Sequence, residues 1–259
     1  MNVNHGLKLL AGLVIAISGI ALPSAQANED KTIVVYGASA RIGEVIVDVA
    51  LERGYKVIGI SRNPEKLQFT HRNFMARKGD LMDVSSIREL ARGAYAIVIS
   101  VSAKASDNQP ENSVLVNATK SVVEALSQLE KKPYIVQMGS ASMMYGSTFA
   151  EIRLNLLDAP FPFEEGTVMH AVIVGHQISL RAYQQSSLDW SIVAPPMKIL
   201  GIYKDRDKIT TKPSYRTSTS APLVDTEGKK TIYVRDLARA TVDEIENRKF
   251  VRQFFNAAY

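Results

Sequence analysis

The chain has no cysteine among its 259 residues. That excludes disulfides and a lipidated-cysteine anchor, and it suits an oxidising compartment. Histidine is scarce: His5 and His71 lie far along the chain from His170 and His176, which leaves no cluster of metal ligands. Lysine and arginine never run longer than two together (Lys131-Lys132, Lys229-Lys230), so the net charge of +5 and pI near 9.3 do not come from a nucleic-acid-binding patch. Internal repeats and low-complexity segments are also missing. The apolar run Leu9 to Leu22 has 14 residues, short of the about 20 that cross a bilayer.

That run does have a place in another pattern. Met1 to Lys8 carries the α-amine and one lysine, and Ala25-Gln26-Ala27 follows the run as a small-residue cleavage site. The three parts together predict a secretory signal over residues 1–27, and so a periplasmic or secreted protein. The alternative is an uncleaved N-terminal anchor. No arginine pair supports twin-arginine export. Cleavage removes Lys8 and no acid, taking the charge from +5 to +4.

Residues 28–259 are long enough for one sizeable core and read as a single domain. Strand and helix signals alternate along them. Thr32–Tyr36, Lys56–Ile60, Phe74–Arg77, Ala96–Val101, Tyr134–Met138 and Asp189–Val193 read as strands. Between them lie a helix through Ile42, Val45, Ile46 and Val49, one capped by Asp83, one opened by Pro110, and one over His176 to Ser186. The alternation predicts an α/β fold with a doubly wound, mostly parallel Rossmann sheet. After Pro195-Pro196 the chain turns polar, and residues 197–230 are expected to form a small substrate-side cap. A strand from Thr231, a helix to Asn247 and a strand near Gln253–Phe255 complete the pattern.

The sharpest local signal is Gly37-Ala38-Ser39-Ala40-Arg41-Ile42-Gly43, set between a β-branched strand and an amphipathic helix. That layout places a pyrophosphate on a helix N-terminus. Ala40 stands where the pattern has its middle glycine. Alanine does not take positive φ cheaply, so a slightly wider turn is expected. Arg62 follows the second strand, 25 residues after Gly37. An acid at that place holds a ribose 2′-OH, whereas an arginine fork suits a 2′-phosphate. The expected cofactor is therefore NADP(H) rather than NAD(H). Asp80, with Leu81, follows the third strand and is positioned for an adenine amino group, or else caps the next helix. Ser100 and Val101 end the fourth strand at the crevice. Ser140 ends the fifth, either to bond a substrate carbonyl or to complete its own turn. His176 is read at the start of its helix on the crevice side, able to donate a proton or orient an acceptor.

No tyrosine has a lysine four residues on. A secondary alcohol, with a pKa far above 7, needs such a base. An electron-poor planar acceptor needs less proton assistance.

These stretches, with Ser61-Arg62-Asn63-Pro64-Glu65-Lys66, Gly79-Asp80-Leu81 and Leu188-Asp189-Trp190-Ser191-Ile192-Val193-Ala194-Pro195-Pro196, resemble the atypical short-chain dehydrogenase/reductases. Within them the chain looks most like bacterial putative NADH-flavin reductases and, more distantly, biliverdin-IXβ reductase. The resemblance implies pyrophosphate contacts at Gly37, Ser39, Arg41, Ile42 and Gly43. It also implies a 2′-phosphate contact at Arg62, adenine contacts at Asp80 and Leu81, and active-site roles for Ser140 and His176. The expected function is an NAD(P)H-dependent reductase passing hydride to a small planar flavin-like, quinone-like or tetrapyrrole acceptor, with no nucleic-acid partner. A non-catalytic nucleotide-binding sensor and, more remotely, a sugar-nucleotide epimerase are the alternatives.

Overall fold

The computed structural model describes residues 28–146, 151–152, 164–202 and 210–259. The predicted signal segment and residues 203–209 of the predicted cap lie outside them.

The chain runs β1 (Thr32–Tyr36), α1 (Arg41–Glu52), β2 (Lys56–Ser61), β3 (Phe74–Lys78), α2 (Val84–Ala91), β4 (Ala96–Ile99), α3 (Val114–Ser127) and β5 (Tyr134–Met138). It continues through α4 (Val168–Gln185), β6 (Trp190–Ala194), β7 (Lys198–Leu200), β8 (Arg216–Ser218), β9 (Thr231–Tyr233), α5 (Val234–Asn247) and β10 (Gln253–Ala258). Eight strands form one sheet in the order β3-β2-β1-β4-β5-β6-β10-β8, parallel throughout except for β8. The chain starts in mid-sheet at β1, winds outward to β3, then crosses back to β4. This reversal opens a crevice at the carboxyl ends of β1 and β4.

Both faces are covered, which is why the central strands are buried at every position rather than at alternate ones. Ile33 and Val35 of β1 face the core shared with Val45, Val49, Leu237 and Ile245, on the α1 and α5 side. Val34 and Tyr36 face the opposite core, with Ile87, Val122, Leu126 and Leu180 on the α2, α3 and α4 side. Each fully buried valine, leucine or isoleucine contributes about 1.5–3 kcal/mol of transfer free energy. β3 is one of the two edge strands, and its Met75, Arg77 and Lys78 are exposed.

Three expectations are corrected. Pro110 opens a short 3-10 turn, not α3; the helix begins after Ser113, whose hydroxyl accepts from Val116 N at 3.2 Å. α4 begins at Val168 rather than at His176, because Thr167 caps it by accepting from His170 N at 3.2 Å. Residues 197–230 are not all cap. Arg216–Ser218 joins the main sheet as an antiparallel edge on β10, and Leu223 N donates to Asn256 Oδ1 at 2.9 Å. Among the described residues of this segment, the stretch around β7, paired in parallel with β9, is the part that overhangs the crevice.

Candidate functional site

A cleft of about 940 Å³ opens at the carboxyl edge of the sheet. One end is the turn from β1 to α1. Gly37 sits at φ +80°, and a Cβ there would lie 2.2 Å from the carbonyl oxygen of Ser100. A Cβ on Gly43 would lie 2.0 Å from the carbonyl oxygen of Gly37. Both glycines are thus fixed by close backbone approach. Ala40 needs no positive φ: it is extended at φ −85°, ψ 150°, and its N–H donates to Gly37 O at 2.8 Å. The turn is therefore closed rather than widened, and alanine fits it without strain.

α1 and α5 have no side-chain cap, whereas Asp83, Ser113 and Thr167 cap α2, α3 and α4. The N–H groups of Ile42 and Gly43 have no intrahelical acceptor. Ala40, Arg41 and Ile42 line the cleft. Uncapped donors at the positive end of a helix dipole, on a turn held tight by these glycines, suit a pyrophosphate.

The floor is made by strand ends. Ser100 and Val101 leave β4, with Ser100 N bonded to Tyr36 O at 3.0 Å. Ser140 leaves β5 and caps the 3-10 turn Ala141–Met144, accepting from Ser142 N at 3.3 Å and from Ser142 Oγ at 2.9 Å. The turn-completing reading of this serine is thus present, and its own O–H is left to donate toward the cleft.

α4 forms the far wall. Met169, Val172, Ile173 and His176 follow i, i+3, i+4, i+7 spacing, so one helical stripe faces the cleft. His176 is mid-helix and buried, and its Nδ1 has no hydrogen-bond partner. Burial among apolar side chains lowers its pKa from 6.5 to about 4. At neutral pH the ring is uncharged, so it can offer a hydrogen bond but not the proton of an imidazolium. Pro195, Pro196, Met197, Lys198, Ile199 and Ile202 close the cleft from above.

The structure therefore brings Ala40, Arg41, Ile42, Ser100, Val101, Ser140 and His176 around one space. Gly37, Ser39 and Gly43 shape the turn beside it. Arg62, Asp80 and Leu81 are not in its lining. Arg62 and Asp80 follow the ends of the neighbouring strands β2 and β3, where Gly79 N bonds Ser61 O at 3.3 Å. Arg62 is exposed and makes no ion pair with the described residues. Asp80 Oδ1 accepts from Met82 N at 2.9 Å, while Asp83 is the residue that caps α2. The Leu81 side chain is packed into the α2 and α3 core. The sequence reading missed the α4 stripe upstream of His176 and the cation Lys198. The Thr167 cap and the 169-172-173-176 spacing were the available signal for the first.

A turn of this kind on a parallel sheet with this strand order defines a Rossmann nucleotide-binding fold. The NAD(P)H-binding family matches residues 37–248, and the chain belongs to that family. Curated relatives match in part. Cinnamoyl-CoA reductase 2 of Medicago truncatula is 32% identical over 114 residues, 40% of this chain and 34% of that protein. The chain thus spans about a third of the length of the curated relatives it matches. Among solved structures, a "putative exported protein" of Burkholderia pseudomallei is 27% identical with a TM-score of 0.68, over 88% of this chain and 100% of that one. A "putative NADH-flavin reductase" of Streptococcus pneumoniae (20% identical, TM-score 0.69, 88% and 99% covered) shares the fold. So does a short-chain dehydrogenase/reductase of Veillonella parvula in complex with NADP (14% identical, TM-score 0.60, 88% and 94% covered).

Proposed function

We propose that this NAD(P)H-binding protein is an NADPH-dependent reductase of a small planar acceptor. The observation that carries the reading is the continuity of one cleft. It runs from the uncapped N-terminus of α1, past Ser100 and Ser140, to the apolar shelf of Met169, Val172, Pro196 and Met197. A dinucleotide on the first half would place its reactive end over the second. When bound, the reduced nicotinamide supplies a hydride.

The chain's own part is positioning. The Ile42 and Gly43 amides hold the pyrophosphate, and Gly37, at φ +80° against Ser100 O, sets the turn that aims them. Arg62 grips a 2′-phosphate and sets NADPH above NADH. Asp80, on its unused carboxylate oxygen, receives the adenine amino group. Ser140 donates to a carbonyl of the acceptor. His176, neutral at working pH, orients the acceptor instead of delivering a proton. One hydride from the dinucleotide and one proton from solvent together reduce the acceptor by two electrons. The apolar wall excludes water from the ring face.

The test is NADPH oxidation followed at 340 nm with a panel of flavins, quinones and tetrapyrroles. Turnover with at least one class supports the reading, and tight nucleotide binding with no turnover on any of them favours the sensor alternative instead. That alternative has one observation behind it: among the described lining residues the cleft holds no acid poised to protonate at neutral pH. We also propose export through residues 1–27. An intact mass starting at Asn28 in the native protein supports it, and one starting at Met1 contradicts it. Among the described residues no helix is long and apolar enough to cross a membrane.

A further inference from the structure

Among the described lining residues the charges around the cleft are one-sided. Among its described lining residues there is no aspartate or glutamate, and the only charged side chains are Arg41 and Lys198. Arg41 opens α1, at the pyrophosphate end. Lys198 lies at the other end, on the acceptor side, and forms no ion pair or hydrogen bond through its ammonium with the described residues. Its backbone is fixed: β7 pairs with β9, and Lys198 N donates to Lys230 O at 3.2 Å. The side chain is exposed, so the ammonium is hydrated at the mouth of the cleft.

Its neighbour Met197 is 42% exposed, among the few large apolar side chains left open to solvent. With Met169, Val172 and Ile199 it makes an apolar shelf ending at a cation. A ring with an anionic substituent satisfies shelf and cation together, and no carboxylate in the described lining repels it.

We propose that the acceptor carries an anionic group, a phosphate or carboxylate, that Lys198 holds at the rim while the ring lies on the Met169, Val172 and Met197 shelf. This rests on the reductase reading of the same cleft. Lys198 is then a specificity-determining residue: it acts on binding and leaves the chemical step to the groups below.

FMN and riboflavin share one ring and differ in a phosphate, so they are the probes. The full chain, saturated with NADP+, is titrated into each flavin while flavin fluorescence is followed. An exposed ion pair is weak and screened by salt, so FMN is expected to bind about threefold tighter than riboflavin at low salt. In Lys198→Gln, and in wild type at high salt, the ratio falls toward one. Equal affinity in the wild type, a ratio that survives in Lys198→Gln, or no flavin binding at all overturns the proposal. NADPH oxidation with the same flavins, assayed without NADP+, separates the two readings. The FMN preference without turnover of flavins, quinones or tetrapyrroles defeats the reductase and leaves the anion site standing, whereas turnover without the preference does the reverse. Lys198→Gln keeps every backbone bond of β7, and its thermal midpoint checks that it folds as the wild type does.

Discussion

Replacing Gly37 by alanine attacks the turn on which the nucleotide site depends, and its cost has two separable parts. The first is conformational. Gly37 is at φ +80°, where an L side chain costs about 1–2 kcal/mol. The second is steric. The new Cβ would fall 2.2 Å from Ser100 O, more than 1 Å inside the ~3.5 Å of ordinary contact. The obstacle is backbone at the end of β4, which a rotamer change does not move. Gly93 isolates the first part: its φ is +75°, and a Cβ there meets nothing within 4 Å. Gly93→Ala is expected to cost about 1 kcal/mol, a fall in Tm of roughly 2–4 °C for a chain of this size. Gly37→Ala is expected to cost at least about 2 kcal/mol more, because the ends of β1 and β4 must part. Thermal scans read the difference, with Trp190 as the probe; it is the chain's one tryptophan, buried against Tyr183 at 5.7 Å between ring centroids. Nucleotide titration of the same variants reads the site. Gly93→Ala should bind as wild type, and Gly37→Ala should bind at least tenfold more weakly. Equal Tm losses for the two variants would refute the steric argument, and normal binding by Gly37→Ala would refute the placement of the pyrophosphate.

Other consequences follow from single side chains. His176 is neutral when folded, with its pKa lowered by burial to about 4 from 6.5. The unfolded chain takes up the proton first, so this contribution to stability is complete above pH 6.5 and is lost as pH falls toward 4, up to about 3 kcal/mol. His176→Gln should flatten that part of the wild-type pH dependence in denaturant titrations; identical slopes would contradict the burial. Ser140→Ala removes a donor worth about 1–1.5 kcal/mol. It should lower kcat/KM about tenfold while NADPH affinity stays within twofold, and an equal loss in affinity would point to a structural role only. Asp236 is fully buried; it accepts from Lys212 N at 2.7 Å and Arg239 Nη1 at 2.8 Å, and from the Tyr259 hydroxyl. Asp236→Ala leaves these donors unanswered and should cost about 2–4 kcal/mol in denaturant unfolding, since a half-removed buried network is dearer than none.

Much of this architecture was legible because it is local. β-branched runs such as Ile33-Val34-Val35 and Ile97-Val98-Ile99 have no other use than central strands, and the glycines at 37 and 43 mark the one turn that requires them. What escaped depended on context. The start of α4 was hidden because Gly166 and Thr167 gave a weak boundary beside a strong histidine. The place of Arg216–Ser218 at the sheet edge is set by hydrogen bonds to β10, far away in the chain, which no local pattern encodes. The same holds for His176. Its position in the cleft was readable, but its neutrality comes from neighbours on α4 and its opposite wall. Lys198 was passed over because a lone lysine after two prolines carries no signal until β7 pairs with β9.

The most direct test of the central claim is a titration of the purified protein with NADPH and with NADH, repeated for Arg62→Ala. We expect NADPH to bind at least tenfold tighter than NADH, a gap of ~1.4 kcal/mol, with the gap closing in Arg62→Ala while NADH affinity holds. Failure to bind either nucleotide, or NADH bound as tightly as NADPH by the wild type, would contradict the account.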